Sequence, residues 1–129
     1  MNTSAKYFKL WFPVIIWMAV IFFLSGIPDL KSGLKYDFIL RKLAHITEYF
    51  ILTFLLYRAF KGAFNINGFY VFILPTLAAF FYAISDEIHQ SFIPGRTCAV
   101  RDVLIDSVGI IGFCVVIKIF NKELVKTNV

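Results

Sequence analysis

Four apolar runs alternate with short polar connections along the chain. The runs cover roughly residues 8–25, 43–60, 69–85 and 103–120. Each is about 17–18 residues long, close to the ~20 that a helix needs to cross the hydrocarbon core of a bilayer. The pattern predicts four membrane-spanning helices in one domain, residues 1–129, with no room left for a separate soluble unit. The fold class expected is all-α, a polytopic membrane four-helix bundle. Pro13 is placed in the first turn of the first helix, where a missing N–H is tolerated. Gly26, Pro28 and Gly33 punctuate an irregular loop after it, and Asn65 to Gly68 forms the turn between helices two and three. Lys6 and Lys9 before an apolar run also suit a signal peptide, but the run is long for one and Leu24-Ser25-Gly26 is a poor cleavage site. Retention as a helix is expected.

The polar positions are not spread evenly between these runs. Alternating helix direction puts the end of helix one, the start of helix two, the end of helix three and the start of helix four on one membrane face. Ser25 closes the first helix, while Arg41, Lys42, His45, Glu48 and Tyr49 open the second. Asp86, Glu87, His89 and Gln90 end the third, and Asp102 and Asp106 open the fourth. The opposite ends carry Lys and Arg anchors. Polar groups bordering hydrocarbon lose hydration and need partners, so a one-sided cluster of them marks a functional site. The densest part is Asp86 to Arg96, with two carboxylates, a histidine, an amide and an arginine in eleven residues.

Composition agrees with the membrane reading and narrows the partners. The chain is 60% hydrophobic and only 16% charged, which excludes an ordinary soluble surface. The net charge of +5 suggests nucleic acid at first sight. Yet the basic residues flank apolar runs and form no aromatic-interleaved patch, so the partner is a lipid bilayer and no nucleic acid is expected. Lys6, Lys9, Arg58, Lys61, Lys118, Lys122 and Lys126 fall on one side, against Lys31, Lys35, Arg41, Lys42, Arg96 and Arg101 on the other. Seven against six places both termini in the cytoplasm, because several of the six are absorbed into the polar cluster. Cys98 precedes the fourth helix and Cys114 lies about 18 Å along it, so no disulfide is expected.

Spacing gives the cluster chemistry. Lys42, His45 and Tyr49 share a helix stripe, as do Arg41, His45 and Glu48, and Asp102, Asp106 and Gly109. Glycine on the last stripe, with Gly112 near the same face, admits a neighbouring backbone. His45 and Asp106 are expected about 5–6 Å below their helix starts, in a shallow recess at headgroup depth. A lipid phosphate calls for a forked donor, which Arg96 supplies, with Lys42, Arg41 or Arg101 adding charge. His45 is the candidate acid, base or nucleophile, and Glu87 and Asp102 are candidates to orient it or to act as bases. Lys42, Tyr49, Gln90 and Asp106 complete the candidate substrate-binding set. Plainer roles stand beside these: His45 bonded to Glu48 or Tyr49 within the bundle, and Arg41, Lys42 and Arg101 as interfacial anchors. Two histidines among carboxylates are also donors for a divalent metal, but no HExxH spacing or paired cysteines marks a zinc site. No cofactor is expected.

Lys42-Leu43-Ala44-His45 with Glu48-Tyr49, then Asp86 through Arg96, then Asp102, Asp106 and Gly109, resemble the VanZ family. The stretch from Trp17 to Ser25 is similar too, so the resemblance runs from about Trp11 to Gly112. The Glu-x-x-Gln-x-x-x-x-x-Arg element with the later Asp carries most of its specificity. Many members have Asn where this chain has Asp106. The family is named for a protein associated with resistance to the glycopeptide teicoplanin, and most members are small bacterial membrane proteins. The resemblance implies a multi-pass protein of a bacterial plasma membrane in the cell envelope, acting on lipid headgroups or lipid-linked precursors.

Two readings follow. One is an enzyme, a headgroup transferase or hydrolase acting on a phospholipid or polyprenyl phosphate. The other is a non-catalytic lipid- or antibiotic-binding module, or a subunit of a membrane complex. A third, an ion or proton carrier, fits less well, because its charges belong near mid-membrane, where helices one, three and four carry none. Homo-oligomerisation is left open by the sequence.

Overall fold

The computed structural model describes residues 2–28, 36–96 and 98–127, the side chains of 122–127 excepted. Gly33, Asp29, Lys31 and Lys35 of the first loop, and the Lys122, Glu123 and Lys126 side chains, lie outside the described residues. Among the described residues there are four helices and no strands: α1 (Thr3–Ser25), α2 (Asp37–Ala63), α3 (Tyr70–Ser91) and α4 (Val100–Thr127). α1, α3 and the Val100–Asn121 part of α4 are long and apolar enough to cross a membrane. α2 has 27 residues, about 40 Å of helix, but Arg41, Lys42, His45 and Glu48 make its first half polar. The packing answers that polarity. α2 touches all three other helices, whereas α1 and α4 make no contact with each other among the described residues. The helix least suited to lipid thus takes the centre, where the others cover it.

Helices run on past the expected bounds, and two expectations change. α1 starts at Thr3, so Pro13 sits in its interior and not in its first turn. Proline cannot donate to the carbonyl four residues back, which here is Lys9, and that freed carbonyl accepts from Arg58 Nη2 of α2 at 3.1 Å. The helix tolerates its proline because a neighbour supplies the lost donor. Tyr7 Oη donates to the Ala63 carbonyl at 3.2 Å beside it, fixing the start of α1 against the end of α2. α2 and α4 also begin earlier than expected. His45 therefore lies about 12 Å, and Asp106 about 9 Å, from its helix start, farther along the helix than the expected 5–6 Å.

The interior joins Val14 and Ile21 of α1 to Tyr49, Leu52, Leu56 and Ala59 of α2, Ala79 and Ala83 of α3, and Ile110 of α4. Along α3 the residues Val71, Pro75, Ala79, Ala83 and Glu87 recur every fourth position and are all buried. Small side chains on that stripe let α2 approach, as helix packing in lipid favours. The closest approach is between α2 and α4. A Cβ on Gly109 would collide with the backbone carbonyl of Ile46 and the amide of Phe50, so only glycine lets the two backbones meet there. Four residues beyond Gly109, Phe113 packs among Phe50, Phe54 and Tyr57. This seam fixes the starts of α2 and α4 against each other.

Candidate functional site

The polar ends of the four helices meet at one end of the bundle. Across the α2–α4 seam, Lys42 forms an ion pair with Asp102, and one turn deeper His45 Nδ1 lies 3.1 Å from Asp106 Oδ1. Asp106 is fully buried, so its carboxyl group needs a hydrogen-bond partner. With Nδ1–H donating to Asp106, the Nε2 lone pair of His45 is left for the cavity beside it. The partner of His45 is therefore Asp106, rather than Glu48, Tyr49, Glu87 or Asp102. Tyr49 is buried beneath His45, and its hydroxyl has no hydrogen-bond partner among the described residues.

A second network joins α1, α3 and the connection that follows α3. Ser25 Oγ donates to Asp86 Oδ1 at 2.5 Å, Gln90 Nε2 donates to Asp86 Oδ2 at 2.9 Å, and Arg96 Nη1 donates to Gln90 Oε1 at 2.8 Å. Asp86 and Gln90 are buried. An amide has one donor end and one acceptor end. Because Asp86 takes the donor end of Gln90, the oxygen is turned towards Arg96. His89 Nδ1 is 3.4 Å from Ser25 Oγ, and its ring stacks on Phe22 with centroids 4.0 Å apart. It braces the rim.

These networks enclose a recess of about 190 Å³. α2 contributes Phe38, Arg41, Lys42 and His45 to its wall, α3 Gln90, α4 Arg101 and Asp102, and the connection Arg96. A second cleft of about 160 Å³ shares Arg41, His45 and Arg96 with it and reaches Ser25 and Glu48. The lining is strongly cationic. Four side chains bear fixed positive charge; Lys42 pairs with Asp102 of the wall, and Arg41 Nε lies 3.6 Å from Asp37 Oδ2 one turn back on α2. The Arg96 side chain has no carboxylate within ion-pair distance among the described residues; its one side-chain hydrogen bond there is to a neutral amide. Arg101 lies over the Phe38 ring, 6.0 Å from the centroid. Such a wall suits an anion with several oxygens.

The sequence-predicted residues fall into two groups. Lys42, His45, Gln90, Arg96 and Asp102 line the recess, and Asp106 stands behind His45. Glu87 does not line it. Its Oε2 accepts from the Ala99 N–H at 3.1 Å, serving an orphan donor at the start of α4, and its side chain borders a cleft on the other side of the α3–α4 pair. Ser25 and Asp86, polar helix ends to which the sequence assigns no role of their own, join the network that holds Arg96. Arg41 and Arg101, whose plain reading is as anchors, stand in the wall. Their helix-end positions disguise them, since cations are common there for membrane anchoring alone. Among the described residues no group of three His, Cys, Asp or Glu side chains is arranged to hold a metal ion. Cys98 is exposed and Cys114 lies 3.2 Å from Thr76 Oγ1; both are free thiols.

The family described as VanZ/LLP1 matches residues 10–121, nearly the whole chain. The chain is also similar to the uncharacterized membrane protein YwnJ of Bacillus subtilis (strain 168). The two are 30% identical over 105 residues, which cover 75% of this chain and 68% of the relative. No solved structure matches it. A family match of that extent, a membrane-protein relative and three helices able to cross a bilayer lead to one statement. This chain is a multi-pass membrane protein of the VanZ/LLP1 family.

Proposed function

We propose that the recess binds the phosphate of a membrane lipid and that the protein acts on that headgroup by hydrolysis or transfer. The observation that carries this reading is the lining. Arg41, Lys42, Arg96 and Arg101 face one cavity together with His45, and Arg96 is held by a neutral amide with no ion pair among the described residues. Arginine presents two parallel N–H groups to two phosphate oxygens, which a lysine cannot do. The termini lie in the cytoplasm in this reading, so the recess opens among the outer headgroups, where envelope lipids and lipid-linked precursors are found.

His45 is the acid–base residue, and Asp106 holds it through Nδ1. In hydrolysis, water attacks phosphorus while His45 Nε2 accepts its proton. The phosphate ester P–O bond breaks, and the imidazolium returns the proton to the departing oxygen. The arginines stabilise the charge that builds on the phosphoryl oxygens. Lys42 is steered by Asp102, and Glu87 supports α4.

The test uses purified protein in vesicles containing radiolabelled phosphatidylglycerol or polyprenyl phosphate. The reading expects headgroup release or exchange that is lost in Arg96→Ala and His45→Ala. Untouched lipids across pH and divalent-metal conditions would exclude the catalytic part. Retained binding with no turnover would leave a lipid-binding module, which the pairing of Lys42 with Asp102 and of His45 with Asp106 also suits.

A further inference from the structure

The recess of about 190 Å³ has a neighbour. The second cleft, about 160 Å³ in volume, meets it at Arg41, His45 and Arg96, which line both. Away from those three residues the two walls differ in kind. The recess adds the cations Lys42 and Arg101, whereas the cleft adds Leu24 and Ser25 of α1 with Ala44 and Glu48 of α2. A phosphate therefore suits the recess, and a second anion in the cleft would face Glu48. A neutral molecule that carries hydroxyl groups suits the cleft better.

Glu48 gives the cleft this character. Its backbone carbonyl accepts from Trp17 Nε1 at 2.9 Å, which holds α1 and α2 together at this level. Its side chain is half-buried, and its carboxyl group makes no hydrogen bond and no ion pair among the described residues. Whether ionised or neutral, a carboxyl group keeps lone pairs that accept from a hydroxyl. The Ser25 proton is directed to Asp86, so Ser25 Oγ faces the cleft as an acceptor too. The ligand has to bring the donors, and more than one of them.

We infer that the second cleft binds a small polyol, of the glycerol type, which takes over the lipid phosphate held in the recess. Glu48 selects it by accepting from a hydroxyl that does not react. His45 stands in both walls, so one imidazole serves the acceptor and the phosphate together. The reacting hydroxyl oxygen attacks phosphorus while His45 Nε2 takes its proton. A new O–P bond forms, the P–O bond to the departing headgroup alcohol breaks, and the imidazolium returns the proton to that oxygen. One alcohol replaces another, so no co-reactant is consumed. Water as the attacking group needs no cleft of its own. The inference rests on the proposed phosphate site and chooses transfer over hydrolysis.

The experiment places the full-length protein in phosphatidylcholine vesicles containing phosphatidylglycerol and adds radiolabelled glycerol. Label entering phospholipid reports transfer, and phosphatidic acid reports hydrolysis. At saturating glycerol, label should enter at least about tenfold faster than phosphatidic acid appears, because a bound nucleophile outcompetes solvent. Ethanol, with no second hydroxyl for Glu48, should be a poor acceptor. Glu48→Leu should raise the glycerol KM about tenfold, the scale of a lost hydrogen bond, with kcat and lipid binding nearly unchanged. Glu48→Gln keeps an acceptor oxygen and should recover much of that loss. Ala44→Phe, which narrows the cleft without touching the shared residues, should raise the glycerol KM as well and covers the case where Glu48→Leu does not fold. Phosphatidic acid without labelled phospholipid would overturn the inference while leaving hydrolysis in the recess standing. Ethanol matching glycerol, or a glycerol KM that neither Glu48→Leu nor Ala44→Phe moves, would overturn it too. No product of either kind would overturn the inference and the enzyme reading together.

Discussion

Arg96 is held by the side-chain oxygen of Gln90 at 2.8 Å, and by no carboxylate among the described residues. Gln90 faces Arg96 with its oxygen because Asp86 takes its N–H. Holding the guanidinium with a neutral group keeps its charge for a ligand, and the buried anion that orders the amide sits one residue further away.

This order is testable by moving the charge. In Asp86→Asn both ends of the introduced amide compete for Gln90, and the chain loses its single direction. Stability should fall by about 1–3 kcal/mol, the effect of a misplaced partner in a buried network. Adding Gln90→Glu restores a one-way chain: the amide introduced on α3 donates to the new carboxylate, which accepts from Arg96. Thermal unfolding in detergent should show the double variant recovering most of the loss. A double variant as unstable as the sum of two single changes would contradict the network.

His45 separates catalysis from binding. His45→Ala should reduce lipid turnover about a hundredfold or more, the usual contribution of a general acid–base group, with lipid affinity nearly unchanged. Asp106→Asn keeps an acceptor for Nδ1–H and should fold normally while slowing turnover. Kinetics on labelled lipid, with binding measured in parallel, check both. Unchanged turnover in His45→Ala would remove the enzyme reading.

Gly109 and Gly112 make a matched pair. A Cβ at Gly109 meets the Ile46 and Phe50 backbone, whereas at Gly112 the nearest atom is a Phe50 ring carbon at 3.8 Å, an ordinary contact. Gly109→Ala should destabilise the protein by about 1–3 kcal/mol through overpacking, and Gly112→Ala should be nearly neutral. Because the Gly109 contact holds the seam carrying Lys42–Asp102 and His45–Asp106, lipid binding should fall with it. Melting temperatures of the two variants decide the matter.

Cys98 reports the orientation. It is exposed in the connection after α3, at the end of the bundle where the recess opens. With both termini in the cytoplasm, a membrane-impermeant maleimide should label Cys98 on intact cells. Labelling only after permeabilisation would reverse the topology.

Much of the arrangement is legible in the order of apolar and polar residues, and the part that is not has a physical cause. Alternating helix direction is enough to bring Ser25, His45, Asp86 and Asp106 to one end of the bundle. It does not say which way each side chain faces. Asp102 and Asp106 share a stripe one turn apart, so choosing Asp106 over Asp102 as the partner of His45 requires the relative height of α2 and α4, which the Gly109 contact sets. The same ambiguity hides Glu87, which is three residues from Gln90 yet lines a different cavity, because a difference of about 60° in azimuth is enough to turn it away from the recess. Helix ends are harder still. Asp37, Lys42 and Gln90 are polar and fall outside the apolar runs, but backbone hydrogen bonding carries the helices through them. Pro13 is displaced from the first turn for this reason, and the Arg58 contact that supports it joins residues 49 apart in sequence.

The most direct test of the central claim is equilibrium binding of two lipids differing only in phosphate, oleoyl lysophosphatidic acid and monooleoylglycerol, to the unmodified protein and to Arg96→Ala. The phosphate-bearing lipid should bind at least about tenfold more tightly, and Arg96→Ala should abolish most of that preference, as expected for a charge-assisted contact. Equal binding of the two lipids, or a preference that Arg96→Ala leaves intact, would contradict a phosphate site in the recess.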